Sequence, residues 1–452
     1  MSAHRPNLVV TSSNTFWNSK EAVECNVALG EFFDLHETYG EKVEIGAALY
    51  NEPFTDKLAR SAKNMVKPVA AVTAGVGLLA AAAVAGGLLA VPVAVGALGA
   101  VTGGFSLSWL ASGVSKAFAK NETGLPTGLS IQHTSSEGLQ FSNLQDSSTP
   151  AEGLREMTMA NMKRYPSALH VVHLNGHGHG AKAVAGLPGK QEKEALMSAV
   201  GQAQRKIDVA FYETCLGANF EFLHGQAEVA DYAVAFEDLI PKSNTKSGRL
   251  PLKEILAKAV EASDSKTAAL EMAKRAGQHF DRDKEPSISR IPLAERNDPA
   301  NRDAIWRNSD STAVAVDLGT LRSQLSPSLD VAGRALSREL QQDKDFGEVV
   351  RQARENNSVE GSHDLVDLGG FLREVQKGAG ESNTTLQRAI DEGLESLDAS
   401  LLHKRTGKHI PLSGLSFHAN PNRVSFSNPV SKAHADSSLP RGWVEFVDAA
   451  FS

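Results

Sequence analysis

At 452 residues the chain has room for two or three domains, or for one domain carrying large insertions. Hydrophobic residues make up 41% and charged residues 22%, which is ordinary globular usage. A formal net charge of −7 without a basic stripe argues against nucleic-acid binding. The two cysteines, Cys25 and Cys215, give no disulfide framework, so a reducing compartment is tolerated.

Residues 1–10 lack the long apolar core of a secretory signal. The expected location is therefore cytoplasmic or membrane-associated, with delivery to a host cell by a specialised secretion machine as the alternative. Leu8–Val10 reads as a short first strand, followed by a helix from about Lys20 to Tyr39 that Gly40 stops. Val43–Tyr50 is a second strand, and strand–helix–strand opens a parallel α/β unit. Cys25 lies inside the predicted helix, where a thiol is expected to pack as a small hydrophobe.

From Pro68 to Ser115 no residue is charged, and Ala, Val, Gly and Leu dominate. A membrane span needs about 20 apolar residues, so this run fits a helical hairpin turning near Val91-Pro92-Val93. Lys63 and Lys67 before it and Lys116 and Lys120 after it would then share one side of a membrane. A polar stretch follows, with strand signals at Leu129–Gln132 and Leu139–Phe141, and then a helix from Ala151 to Arg164.

The next pattern is the centre of the chain. The apolar run from Leu169 stops at His177-Gly178, and the run from Ile207 stops at Glu213-Thr214-Cys215. A Gly- and Lys-rich loop (Gly180 to Lys193) and a helix to about Lys206 are predicted between them, with a helix over Leu216 to Val229 and a strand at Tyr232–Phe236 beyond. Strands alternating with helices predict a mostly parallel sheet sandwiched by helices. Helices at Leu252–Glu261 and Thr267–His279, a polar connection from Asp281 to Asp310 and a strand at Ala313–Val316 come next. The remainder is predicted mainly helical (Leu329–Glu355, Leu365–Val375, Leu386–Leu397), closing with a strand at Leu412–Phe417 and an aromatic tail at Trp443, Phe446 and Phe451.

Parallel strands deliver their carboxyl ends to one edge, where ligands bind. If the His177 and Cys215 strands are neighbours, a thiol and an imidazole meet there as a nucleophilic pair. A helix starting just after Cys215 would favour thiolate through its free amides and dipole. His177 would act as acid and base. Gly178 lets the backbone approach a carbonyl closely, so the amides of Gly178 and Cys215 would form an oxyanion hole. The rival is zinc on His177 and His179, which lacks a nearby carboxylate before Glu192, so no metal site is assigned. His170 and His173 fall inside the strand and are expected to pack there with hydrogen-bond partners, and His179 is the reserve choice for the base.

The His177-Gly178-His179-Gly180 and Glu213-Thr214-Cys215-Leu216 strand ends resemble the motifs of the clostripain-like cysteine peptidases, within the caspase-like group that includes gingipains, legumains and separases. Asp231–Asp238 followed by Pro241, Thr312–Leu318, Val366–Phe371 and Gly414–Phe417 are similar to further segments of that family, in the same order. The resemblance implies a caspase-like three-layer α/β sandwich completed by the helical C-terminal part, with Cys215 as nucleophile and His177 as acid/base. It implies cleavage after Arg or Lys, with Glu213 as the substrate-binding acid and Glu237 or Asp238 assisting. It also implies processing in the loop after the histidine, where Lys182, Lys190 and Lys193 are candidate self-cleavage points. No cofactor is implied beyond the calcium some members use.

The division expected is 1–63 and 121–280 for the catalytic sandwich, 64–120 for the apolar insert, 281–310 for a linker and 311–452 for the C-terminal part. The expected function is a cysteine endopeptidase acting on protein or peptide substrates, with a membrane as a second partner through residues 68–115. The alternative is a membrane-inserting or pore-forming effector whose peptidase fold is regulatory or inactive.

Overall fold

The structure, a computed structural model, describes residues 6–16, 31–32, 34–36, 38–51, 128–134, 138–143, 150–181, 183–185, 187–238, 240, 250–279, 312–359, 364–380, 383–405, 412–419 and 438–451. Cys25, the apolar run 68–115, Lys182 and the connection 281–310 lie outside them. Among the described residues, no helix is long and apolar enough to cross a membrane.

The central strands are β1 (Leu8–Phe16), β2 (Val43–Asn51), β5 (Leu169–Asn175), β8 (Ile207–Glu213) and β9 (Ala230–Phe236). They run parallel in the order β9-β8-β5-β1-β2. A hairpin of β3 (Gly128–Thr134) and β4 (Gly138–Asn143) extends the sheet antiparallel beyond β2. At the other edge, β10 (Ala313–Asp317) and β12 (Leu401–Arg405) add antiparallel strands to β9. The C-terminal part thus supplies strands to the main sheet, which has nine among the described residues.

The central strands read as near-continuous apolar runs because both faces are covered. One face carries Val171, Val209, Phe211 and Val234 and packs under α4 (Leu252–Glu261), α5 (Ser265–His279) and the helical residues around Phe32 and Leu35. Helix α4 buries Leu252, Ile255, Leu256, Ala259 and Val260, the three-to-four-residue spacing of one helix face. The opposite face carries Val172, Leu174, Ala210 and Tyr212. It meets α1 (Pro150–Arg164), α2 (Gly189–Ala203), α3 (Phe220–Gln226) and the C-terminal helices. The result is a helix–sheet–helix sandwich, as the alternation of elements predicts.

The C-terminal helices follow a short helical turn at Leu318–Thr320 and a π-helical turn at Leu321–Leu325. They are α6 (Ser326–Gln342), α7 (Phe346–Asn356), α8 (Leu368–Gly378), α9 (Thr384–Ser400) and α10 (Arg441–Phe451). The single helix expected over Leu329–Glu355 is split at Asp343, whose extended backbone ends α6. Helices α6 and α10 cross so closely that a Cβ on Gly333 would lie 2.4 Å from the Gly442 carbonyl. Phe371, Phe417, Trp443 and Phe446 meet edge-to-face or tilted in the centre of this part. The closing strand expected at Leu412–Phe417 is shorter, β13 (Ser416–His418). It pairs with β11 (Leu365–Asp367) in a separate small sheet.

Two expectations near the site change. The loop predicted over Gly180–Lys193 contains a small hairpin, β6 (Ala183–Val184) with β7 (Leu187–Pro188), and α2 already starts at Gly189. Lys190 and Lys193 are therefore helical. Lys190 pairs with Glu194 at 3.6 Å and Lys193 with Glu228 at 3.2 Å, so neither is on an open processing loop. The helix predicted from Leu216 starts only at Phe220, where the Asn219 side chain accepts the Phe222 amide at 3.1 Å. Before it, Leu216 adopts a left-handed backbone at φ 59°.

Candidate active site at the carboxyl edge of the sheet

Strands β5 and β8 are parallel neighbours, with Asn175 opposite Glu213. His177 and Cys215 each follow two residues later, so they emerge at the same level of the sheet edge. The two strand ends touch. A Cβ on Gly178 would lie 2.1 Å from the Cys215 carbonyl oxygen and 2.9 Å from the Thr214 Cβ, so only glycine fits. Gly178 also bridges to Val184 of β6, which ties the histidine-bearing turn to the hairpin after it. His177 is half-buried, and His179, the reserve choice, is exposed.

Cys215 is 8% exposed, and its Sγ accepts the Ile240 N–H at 3.3 Å. The Ile240 carbonyl lies 3.8 Å from the same sulfur. With α3 starting at Phe220, this N–H takes the place of the helix terminus expected to favour thiolate. A donor aimed at sulfur stabilises its charged form. Leu216 and Ala218 donate their amides to the carbonyls of Asp238 and Phe236 at 2.9 and 2.8 Å, which ties the Cys215 turn to the end of β9.

Glu213 is 8% exposed and accepts from His173 Nε2 at 2.9 Å. His173 is wholly buried, as the sequence predicts. His170 is also held within the strand: its Nε2–H donates to the Tyr165 carbonyl at 2.8 Å, and burial pushes its pKa down to about 4. Glu237 is fully buried and accepts the Gly414 amide at 2.7 Å, and burial, then the charge of Asp367, raise its pKa well above the usual carboxyl range. Asp238 is buried too, and its Oδ1 accepts the Thr312 amide at 2.9 Å, bracing β10 against the edge. Both acids serve the junction with the C-terminal part because β10 and Gly414 pack onto β9 there.

The sequence gives little sign of Ser12, Asn14 or Ile240, all of which bear on the site. The signal for the first two is the polar run Thr11–Asn14, which continues a central strand and is buried there. Among the described residues, no group of three or more His, Cys, Asp or Glu side chains is placed to hold a metal ion.

No protein-family model matches this sequence, and no curated protein does. Solved structures do. A secreted C11 cysteine protease from Bacteroides thetaiotaomicron, in complex with an irreversible peptide inhibitor, superposes with a TM-score of 0.54 at 12% identity, covering 98% of this chain and 99% of the other. An inactive zymogen C11 protease from Parabacteroides distasonis gives 0.53 at 12% identity over 100% of both chains. A further structure of a secreted C11 protease from Bacteroides thetaiotaomicron gives 0.53 at 10% identity, covering 95% and 99%. The likeness extends over nearly the whole chain, and the architecture is the caspase-like α/β fold of the C11, clostripain-like cysteine proteases.

Proposed function

We propose that the protein is a cysteine endopeptidase with Cys215 as nucleophile and His177 as acid and base. The observation that carries this reading is the seating of Gly178 directly on Cys215 at the ends of adjacent parallel strands. His177 takes the thiol proton, and the thiolate attacks the carbonyl carbon of the scissile bond. The amides of Gly178 and Cys215 face the developing oxyanion, and His177 passes its proton to the leaving amine as the C–N bond breaks. A water molecule, deprotonated by His177, then cleaves the thioester, and the proton returns to sulfur. The N–H of Ile240 is placed to donate to the thiolate, and the Ile240 carbonyl to take the proton of the resting thiol.

Substrates are proteins or peptides, cut after Arg or Lys, with Glu213 as the acid that pairs with the cationic side chain. A carboxylate facing a guanidinium or ammonium makes a charge-assisted bond. Self-processing, if it follows the family pattern, falls at Lys182, since Lys190 and Lys193 are held in α2. Membrane association rests on the uncharged run 68–115 and predicts liposome binding that is lost on its deletion.

The test is hydrolysis of Arg- and Lys-ended reporter peptides, with covalent capture of Cys215 by a peptide electrophile. Cys215→Ala is expected to lower kcat by about four orders of magnitude or more. Activity that survives this change would discard the nucleophile assignment, and with it the peptidase reading. Liposome binding that persists unchanged in Cys215→Ala, in a protein lacking peptidase activity, would favour the membrane effector instead.

A further inference from the structure

Beneath the site, polar side chains from β1, β5 and β8 form one chain of hydrogen bonds. The Asn175 amide donates to Asn14 Oδ1 at 3.3 Å, and Asn14 Nδ2 donates to Ser12 Oγ at 2.9 Å. Ser12 Oγ lies 2.9 Å from His173 Nδ1, and His173 Nε2 lies 2.9 Å from Glu213 Oε2. Register brings them together: Ser12 is opposite His173, Asn14 opposite Asn175, and Asn175 opposite Glu213. Residues two apart on a strand share a face, so all of these side chains point the same way. The His173 ring is fully buried between Phe32 and Phe211, with centroids at 5.7 and 5.1 Å.

An amide NH2 can only donate, so Ser12 Oγ accepts from Asn14, and its remaining lone pair and hydroxyl proton face His173 Nδ1. With Nδ1 held by Ser12, Nε2 is left at hydrogen-bond distance from Glu213. The aromatic clamp leaves His173 no room to turn away.

We infer that His173 is a positioning residue for the substrate-binding acid: it holds the Glu213 carboxyl fixed in one orientation before substrate arrives. This rests on the reading of Glu213 given above. A glutamate side chain ordered in advance loses less freedom on binding, and the saving appears in affinity for a cationic P1 side chain. The chemical step does not use His173, so kcat carries none of the effect.

The experiment compares the full-length protein with His173→Leu, His173→Gln and Ser12→Ala, using reporter peptides ending in Lys, Arg or the uncharged norleucine. His173→Leu is expected to raise KM for the basic peptides about tenfold, while kcat and the norleucine KM stay within about twofold. His173→Gln supplies an amide N–H near the place of Nε2 and is expected to recover most of the loss. Equal changes for basic and norleucine peptides, or Gln and Leu variants that behave alike, would overturn the inference and leave His173 a packing residue. Should His173→Leu fail to fold, Ser12→Ala decides, because it removes the hydroxyl that holds Nδ1 and leaves the imidazole and Glu213 in place. A rise of about threefold confined to the basic peptides supports the inference, and no such rise overturns it. Wild-type protein that cleaves norleucine peptides as well as basic ones would instead remove the parent reading of Glu213, and this inference with it.

Discussion

Two groups of buried carboxyls stand at the same edge of the sheet and are held by different partners. Under the ends of β1, β5 and β8, Glu213 ends a line of hydrogen bonds running from Asn175 through Ser12 to His173. At the end of β9, Glu237 accepts the Gly414 amide but faces Asp367, which itself accepts the amides of Gly370 and Ser413 at 2.5 Å each. Burial first, and then the neighbouring Asp367, push the Glu237 pKa up, which favours its neutral form. Glu213 keeps 8% of its surface exposed and Glu237 keeps none. The partners supplied by neighbouring elements differ as well, and they set what each acid is held by.

The sharpest way to break this comparison is to neutralise each glutamate in turn. Glu213→Gln is expected to lower kcat/KM for Lys- and Arg-ended peptides about a hundredfold relative to norleucine peptides. Glu237→Gln is expected to leave that ratio unchanged. Equal effects in steady-state assays would mean that both acids line the pocket, contrary to the burial of Glu237.

Asp367→Ala comes next. It removes the N-cap of α8 and leaves the buried Ser413 amide without its acceptor, so urea unfolding is expected to show a loss of about 2–4 kcal/mol. A loss below about 1 kcal/mol would mean that the Ser413 and Gly370 amides find other acceptors when the carboxyl is removed.

A smaller effect concerns pH. Burial raises the carboxyls of Glu192 to about 8 and Glu221 to about 7, and Glu237 higher than usual in the same direction. A folded pKa above the unfolded one means that the native state holds more protons than the unfolded chain. These groups therefore contribute stability fully below about pH 4.5, and it is lost as pH rises through 7 to 8. Glu192→Gln, which retains an acceptor for Gln226 or Tyr212, is expected to flatten this slope in melts taken from pH 5 to 8.5. An unchanged slope would remove Glu192 from the account. The smallest change is expected in the stability of Glu237→Gln near neutral pH, within about 1 kcal/mol, because the amide replaces an already neutral group.

The strands that frame the candidate site are legible in the sequence. The apolar runs ending at His177 and Cys215 are strands because they are rich in Val, Leu and Phe and stop abruptly, and both became neighbours in the sheet. The match of α4 to its predicted limits follows from a clean apolar face. Other expectations failed where tertiary contacts override local pattern. Strand β1 continues six residues past Val10 although Thr11–Thr15 are polar, because a central strand can bury hydroxyls and amides that bond one another. Leu216–Ala218 looks helical by composition, but its amides are drawn to the carbonyls of β9, and α3 starts later. Lys190 and Lys193 read as loop residues beside Gly189 and Gly180, yet ion pairs with Glu194 and Glu228 accompany them in α2.

The amino-acid sequence by itself determined the alternation of strands and helices, the residues that end at the sheet edge, and the glycine that must follow His177. These are local properties, set by hydrophobic period, chain stiffness and the room a side chain needs. Only the tertiary structure decided that Gly178 rests on Cys215, that an amide from Ile240 meets the sulfur, and that Glu213 is held by His173 while Glu237 is sealed away. Those outcomes depend on which strands become neighbours and in what register, and that choice joins residues far apart in the chain.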